Sequence, residues 1–165
     1  MALHIRRLIT IVTTTILLDQ TTKYFVMKRM SVGESIPLID GLLNLTFVFN
    51  PGAAFGFLSS ASEKFRVPFF FLISVVAIGV VLVIYFKGAR ENILLQVGLS
   101  LVLGGAVGNL IDRIFFKKVI DFIDLYYKQF HWPAFNIADS AITIGVFILI
   151  VDMVLAGRKE KPETG

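Results

Sequence analysis

Four aspartates, two asparagines and an arginine crowd into three short blocks between Asn109 and Asp139. The blocks read Asn109-Leu-Ile-Asp112-Arg113, Val119-Ile-Asp121-Phe-Ile-Asp124 and Phe135-Asn136-Ile-Ala-Asp139-Ser140. The chain around them is 56% hydrophobic and only 17% charged, so ionisable groups gathered this way call for a function. Two carboxylates held close together cannot both ionise easily. They keep one proton between them, which leaves one acid and one base near neutral pH. Such a pair can activate water against an amide and then protonate the leaving nitrogen. A low dielectric strengthens the coupling, so the pair titrates as a unit.

Other chemistries lack their residues. The chain has no cysteine, which removes thiolate nucleophiles, thiolate metal sites and disulfides. Neither His4 nor His131 has a triad pattern around it, and no HExxH, Walker or GxGxxG motif occurs. Ser100 has no lysine at helical spacing. No metal or cofactor is expected, because carboxylates can activate water themselves. Which carboxylates form the pair is less plain. Asn109-x-x-Asp112 and Asn136-x-x-Asp139 share one spacing and nominate Asp112 with Asp139. Arg113, however, could silence Asp112 in an ion pair. Asp121 and Asp124 lie in an alternating segment just upstream, so all three stay open as the partner of Asp139.

The elements that must carry these groups belong to a membrane protein. Low charge and long apolar runs place the chain in that class, against about 25% charged residues in a soluble domain. The net charge of +4 is spread over short flanking pieces and does not suggest nucleic acid. The expected architecture is all-α, with four transmembrane helices over about 8–27, 67–86, 93–112 and 137–155. A small extramembrane β-sheet or cradle falls at 28–66, where Leu43–Phe49 alternates like a strand and Asn50-Pro-Gly52 marks a turn. An interfacial loop or helix falls at 114–134, with Tyr126, Tyr127 and Trp132 suited to headgroup depth and Phe122–Trp132 able to act as a mobile lid. Ala53–Phe57 could insert aromatic rings at the interface, and the polar tail from Gly157 reads as disordered. The whole forms one integral membrane domain.

Span one must run through Asp19 and Lys23, which share a helix face in the order that favours an ion pair. Gly104, Gly105 and Gly108 at helical spacing allow a second backbone to approach span three. With four spans, the ends of spans one and three and the start of span four lie on one side of the bilayer. Asp19, Lys23, Asn109, Asp112, Arg113 and Asp139 therefore converge whichever way the chain is oriented. Intramembrane Asp, Lys and Arg also mark ion paths, so a small proton- or ion-coupled transporter is the alternative function.

The motifs in order resemble lipoprotein signal peptidase (signal peptidase II), a bacterial membrane aspartyl protease family. Asp19-x-x-Thr-Lys23 is similar to the family's first-span motif, and Asn50-x-Gly52-Ala-Ala-Phe-Gly56 to its loop motif. Gly108-Asn-Leu-Ile-Asp-Arg113 with Val119-Ile-Asp-Phe-Ile123 resembles the block carrying the first catalytic aspartate, and Phe135-Asn-Ile-Ala-Asp-Ser140 the block carrying the second. The resemblance covers essentially the whole chain. It implies a dyad of Asp121 and Asp139, supported by Asp19, Lys23, Asn50, Gly52, Asn109, Asp112, Arg113 and Asn136. It further implies cleavage of diacylglyceryl-modified prolipoproteins just before the lipidated cysteine. The expected setting is the bacterial cytoplasmic membrane, with the termini cytoplasmic, the site at the outer face, membrane lipids around it and the protein monomeric.

Overall fold

The structure, a computed structural model, describes residues 2–52, 58, 61–89 and 91–159, with side chains through residue 156. The aromatic stretch Ala53–Phe57, including Gly56 of the loop motif, lies outside the described residues, as does the tail from residue 160. In chain order the elements are α1 (Leu3–Arg29), β1 (Ser35–Ile39), β2 (Leu43–Asn50), α2 (Glu63–Gly88), α3 (Ile93–Phe116), β3 (Val119–Tyr127), β4 (Phe130–His131) and α4 (Ile137–Lys159).

Among the described residues, three helices are long and apolar enough to cross a membrane: α2, α3, and α4 as far as Ala156, with mean hydropathies of 3.0, 1.8 and 2.1 over their most apolar stretches. The four expected spans are therefore three by this measure. Helix α1 has 27 residues, or about 40 Å of rise, but its threonines together with Asp19, Gln20 and Lys23 dilute its apolar run.

Helix α3 is the element on which α1, α2 and α4 all pack, and α1 also touches α4. Its glycines explain how they come so close. A Cβ on Gly104 would lie 2.7 Å from Thr15 Cβ of α1, and one on Gly105 would lie 2.3 Å from the Ala138 carbonyl oxygen of α4. A Cβ on Gly108 would meet the Asp19 carboxylate at 2.8 Å. The buried cluster of Leu8, Val81, Tyr85, Ala89, Leu99 and Leu103 fills the other end of the bundle. Phe71, Leu72, Val76, Val80, Phe147 and Ile150 point outward and stay exposed, a lateral apolar surface suited to lipid.

The four strands form one antiparallel sheet in the order β1-β2-β3-β4. This corrects the interfacial loop or helix expected over 114–134. Helix α3 continues to Phe116, Lys117 caps it in the left-handed conformation at φ 59°, and Val119–Tyr127 then enters the sheet beside β2. The alternation Val119-Ile-Asp-Phe-Ile-Asp is a strand period, and β2 offers it a partner with the same period. Phe47, Ile120 and Phe122 bury against Val26 and Met30 and seat the sheet on the end of α1.

The Gly105 contact gives a direct test. Gly105→Ala drives a methyl into a backbone carbonyl, so thermal unfolding in detergent is expected to show a loss of about 1–3 kcal/mol. Gly79→Ala, where nothing lies within 4 Å of the new Cβ, should not lower the transition.

Candidate active site

A buried lysine stands at the base of the site. Lys23 Nζ on α1 lies 2.8 Å from Asp19 Oδ2 and 2.8 Å from Asp112 Oδ2 of α3, with all three side chains nearly inaccessible. An ammonium taken out of water is costly unless it is paired and hydrogen-bonded, and here two carboxylates hold it. The acids are committed in turn. Asp19 Oδ1 accepts the Ala138 backbone N–H at 2.9 Å, at the start of α4. Asp112 Oδ2 accepts the Ile120 N–H at 3.1 Å, at the start of β3. Gln20 closes the cluster, donating from Nε2 to Asp19, Asp112 and the Gly108 carbonyl oxygen at 3.0–3.1 Å. The cluster thereby pins three separate elements to α1.

Lys23 makes a third bond, to Asn109 Oδ1 at 3.1 Å, and through it the cluster reaches the other two acids. Asn109 Nδ2 donates to Asp139 Oδ1 at 2.7 Å. Asn136 Nδ2 donates to Asp121 Oδ1 at 2.7 Å, to Asn109 Oδ1 at 3.2 Å and to the Ile120 carbonyl oxygen at 3.2 Å. Asn136 is also the N-cap of α4. Its Oδ1 accepts the Asp139 N–H at 2.9 Å, and Asp139 Oδ2 accepts the Asn136 N–H at 3.3 Å. That reciprocal pair is a capping box, and it explains the Asn-x-x-Asp spacing as a helix-start signal. The matching Asn109-x-x-Asp112 lies within α3 and marks no start.

The sheet brings the remaining acid into place. Val119 pairs with Asn50 and Asp121 with Val48, so Asn50 and Asp121 sit diagonally on one face. The register shifts between Leu45 and Val48, a bulge that re-aims the end of β2. Asn50 Nδ2 donates to Asp121 Oδ2 at 3.0 Å, while its Oδ1 accepts the Gly52 N–H at 3.0 Å. Asp124, three residues along β3, faces the other way. It accepts from Asn44 at 2.9 Å and lies 2.9 Å from His131 Nδ1, away from the other three acids.

The three acids left open as partner of Asp139 are now distinguished by their surroundings. Asp112 is bound to Lys23, not to Arg113 as the sequence suggested. Arg113 instead donates to the Asn109 carbonyl oxygen at 3.2 Å and lies over the Phe70 ring. Asp124 is occupied by His131. Asp121 is held by neutral amide donors, shares Asn136 with Asp139, and forms no ion pair among the described residues. Burial pushes the Asp121 carboxyl up from its usual 3.8 to about 7, and the neighbouring Asp139 adds to the rise against the amides of Asn50 and Asn136. Both acids face a cavity of about 890 Å³, with Asn50, Gly52, Asn109 and Arg113 on its polar side. Ile73 and Ala77 of α2, Ala106 of α3, and Ile142 and Ile144 of α4 line its apolar side, and Trp132, Pro133 and Phe135 form its edge near the sheet. Two acids that line one largely apolar cavity and are held by neutral amides could share a proton and activate water. Sequence reasoning missed Gln20, although it sits between Asp19 and Lys23 and could have been found from that position.

The fold and site define a membrane-helix protein with two carboxylates facing one largely apolar cavity. The chain belongs to the signal peptidase (SPase) II family, whose profile matches residues 11–155, and it is a peptidase. It is 50% identical to the lipoprotein signal peptidase of Syntrophus aciditrophicus over 146 residues, 88% of this chain and 90% of the relative. The lipoprotein signal peptidase of Geobacter sulfurreducens is 49% identical over 147 residues, 89% and 91% of the two chains. A solved structure described as a bacterial membrane enzyme, at 2.3 Å resolution, superposes with a TM-score of 0.85 at 36% identity, covering 96% of this chain and 93% of its own. A second, at 1.9 Å, gives a TM-score of 0.79 at 35% identity, covering 88% and 91%.

Two stability measurements test the electrostatics. Lys23→Met leaves two buried carboxylates facing each other without their cation, and unfolding should show a loss of about 3–5 kcal/mol. Asp121 behaves differently. Its folded form holds a proton more tightly than the unfolded chain, so its contribution is fully present below the usual 3.8 and is lost as pH rises through about 7. Asp121→Asn should therefore match the parent protein in acid and unfold at a higher temperature than it above neutral pH.

Proposed function

We propose that this protein removes the signal peptide from diacylglyceryl-modified prolipoproteins, cutting just before the lipidated cysteine with water activated by Asp121 and Asp139. The observation that carries the reading is the division of the acids: Asp19 and Asp112 share the Lys23 ammonium, while Asp121 and Asp139 share a neutral asparagine and face the cavity. Asp19 and Asp112 are committed to the Lys23 ammonium, whereas a pair on neutral amides can share one proton. One carboxylate takes a proton from water as the oxygen attacks the carbonyl carbon, and the other carboxyl supplies its proton to the substrate. Asn50, Gly52 and Arg113 line the cavity and would orient the substrate backbone. Asn109 and Asn136 hold the two acids, and Asp19, Lys23 and Asp112 set the scaffold beneath them. No cofactor takes part in this scheme.

The substrate is itself an apolar span, and the cavity wall of Ile73, Ala77, Ala106, Ile142 and Ile144 suits one that enters sideways from the lipid. Helix α1 acts as a fourth crossing in this reading. Its length matches the bilayer, and Asp19 and Lys23 face α3 and α4 rather than lipid. The termini then lie in the cytoplasm and the site at the outer face of the cytoplasmic membrane, within a single monomeric domain surrounded by membrane lipids.

Mass spectrometry of a lipidated precursor peptide tests the reading. Asp121→Asn and Asp139→Asn should each lower turnover by at least about 10²-fold while the protein still inserts and unfolds cooperatively. Near-normal turnover in both variants would remove the dyad. In the parent enzyme, losing the shared proton removes the acid, so the rate should fall as pH rises through about 7.

A further inference from the structure

The hydrogen bonds around the two acids run in one direction, and their direction has a chemical consequence. An amide group can donate only from its nitrogen and accept only at its oxygen. Asn109 Oδ1 takes the Lys23 ammonium at 3.1 Å, so its Nδ2 must turn toward Asp139 Oδ1. Lysine has no acceptor, which makes this orientation obligatory. The second Asp139 oxygen accepts a backbone N–H, Asn136 N, which also can only donate. Asp139 is moreover the third residue of α4, where the unpaired N–H groups of the first turn favour negative charge.

Asp121 differs in two respects among the described residues: it lies on β3, away from any helix start, and the side-chain amides of Asn50 and Asn136 that donate to its two oxygens make no bond to Lys23. The charged groups facing the pair are Asp19 and Lys23 from α1, Asp112 and Arg113 from α3, and each acid itself. Lys23 reaches Asp139 through a single amide, by way of Asn109. Its path to Asp121 needs two, Asn109 and then Asn136.

We infer that Lys23 is a positioning residue that acts through Asn109 to hold Asp139 as the resting carboxylate, leaving the shared proton of the pair on Asp121. The inference rests on the dyad reading and assigns its two roles. Asp139 takes a proton from water as the water oxygen bonds to the carbonyl carbon, and Asp121 gives its proton to the carbonyl oxygen. The resulting gem-diol then collapses. The C–N bond breaks, Asp139 passes its new proton to the leaving nitrogen, and one diol proton returns to Asp121. The pair ends as it began.

Carboxyl-carbon NMR of the full chain with isotope-labelled aspartates, in detergent below neutral pH, reads the two protonation states directly. Each resonance is identified by its disappearance in Asp121→Asn or Asp139→Asn. In the parent protein the Asp121 resonance should sit at the protonated position and the Asp139 resonance at the ionised position. Asn109→Leu cuts the link while leaving Lys23 its two carboxylates. The Asp139 resonance should then move toward the protonated position, and the alkaline limb of kcat should shift to higher pH. A merely structural Asn109 would lower kcat without moving either. A proton found on Asp139 in the parent protein overturns the inference, as do unmoved resonances in folded Asn109→Leu. If Asn109→Leu does not fold, the parent spectrum decides the placement alone. Failure of the dyad reading is told apart by the hydrolytic activity of Asp121→Asn and Asp139→Asn, which does not depend on where the proton rests.

Discussion

The architecture depends on one buried ammonium. Lys23 is held between Asp19 and Asp112 at 2.8 Å from each, in a bundle whose surroundings are otherwise apolar. In such a medium an unpaired ion is far more costly than in water, so the three groups must arrive together or not at all. Because the two acids also accept the N–H of Ala138 and of Ile120, the starts of α4 and β3 are tied to the same charge cluster. The electrostatic requirement thus becomes a geometric one. Elements more than a hundred residues apart in sequence meet at fixed distances because a lysine cannot be left alone.

The glycines of α3 make that meeting possible. Gly108 leaves room for the Asp19 carboxylate and Gly105 for the Ala138 backbone, so α1 and α4 approach closely enough for their polar ends to touch. Polar satisfaction and close packing are two sides of one constraint here. A larger side chain at either position would separate the helices and leave buried donors and acceptors without partners.

From this scaffold the two asparagines carry the order outward. Asn109 and Asn136 bond to each other and each holds one aspartate, so the position of each acid is fixed relative to the other. Asn136 does more, because it also caps α4 and thereby sets the rotamer of Asp139. The sheet adds Asn50 from the opposite direction, through a bulge in β2. Positions that serve helix capping, strand register and acid placement together leave little freedom in the site.

The sequence alone determined the membrane character, the apolar lengths of α2, α3 and α4, the strand period of β2, and the gathering of polar residues on one side. These follow from local quantities: run length, alternation and the side on which each helix ends. The motif blocks, taken in order, also pointed to the family. Three matters needed the tertiary structure. Within 114–134, Val119–Tyr127 became a strand because β2 supplied a partner, and a partner is not visible in a single segment's pattern. Asp112 answered to Lys23 instead of its neighbour Arg113, since side-chain direction around a helix outweighs adjacency along the chain. The repeated Asn-x-x-Asp spacing turned out to be a capping box at α4 and a mid-helix coincidence at α3. Spacing fixes which groups share a face, but only packing decides what stands opposite them, and in a low-dielectric interior the group opposite decides the chemistry.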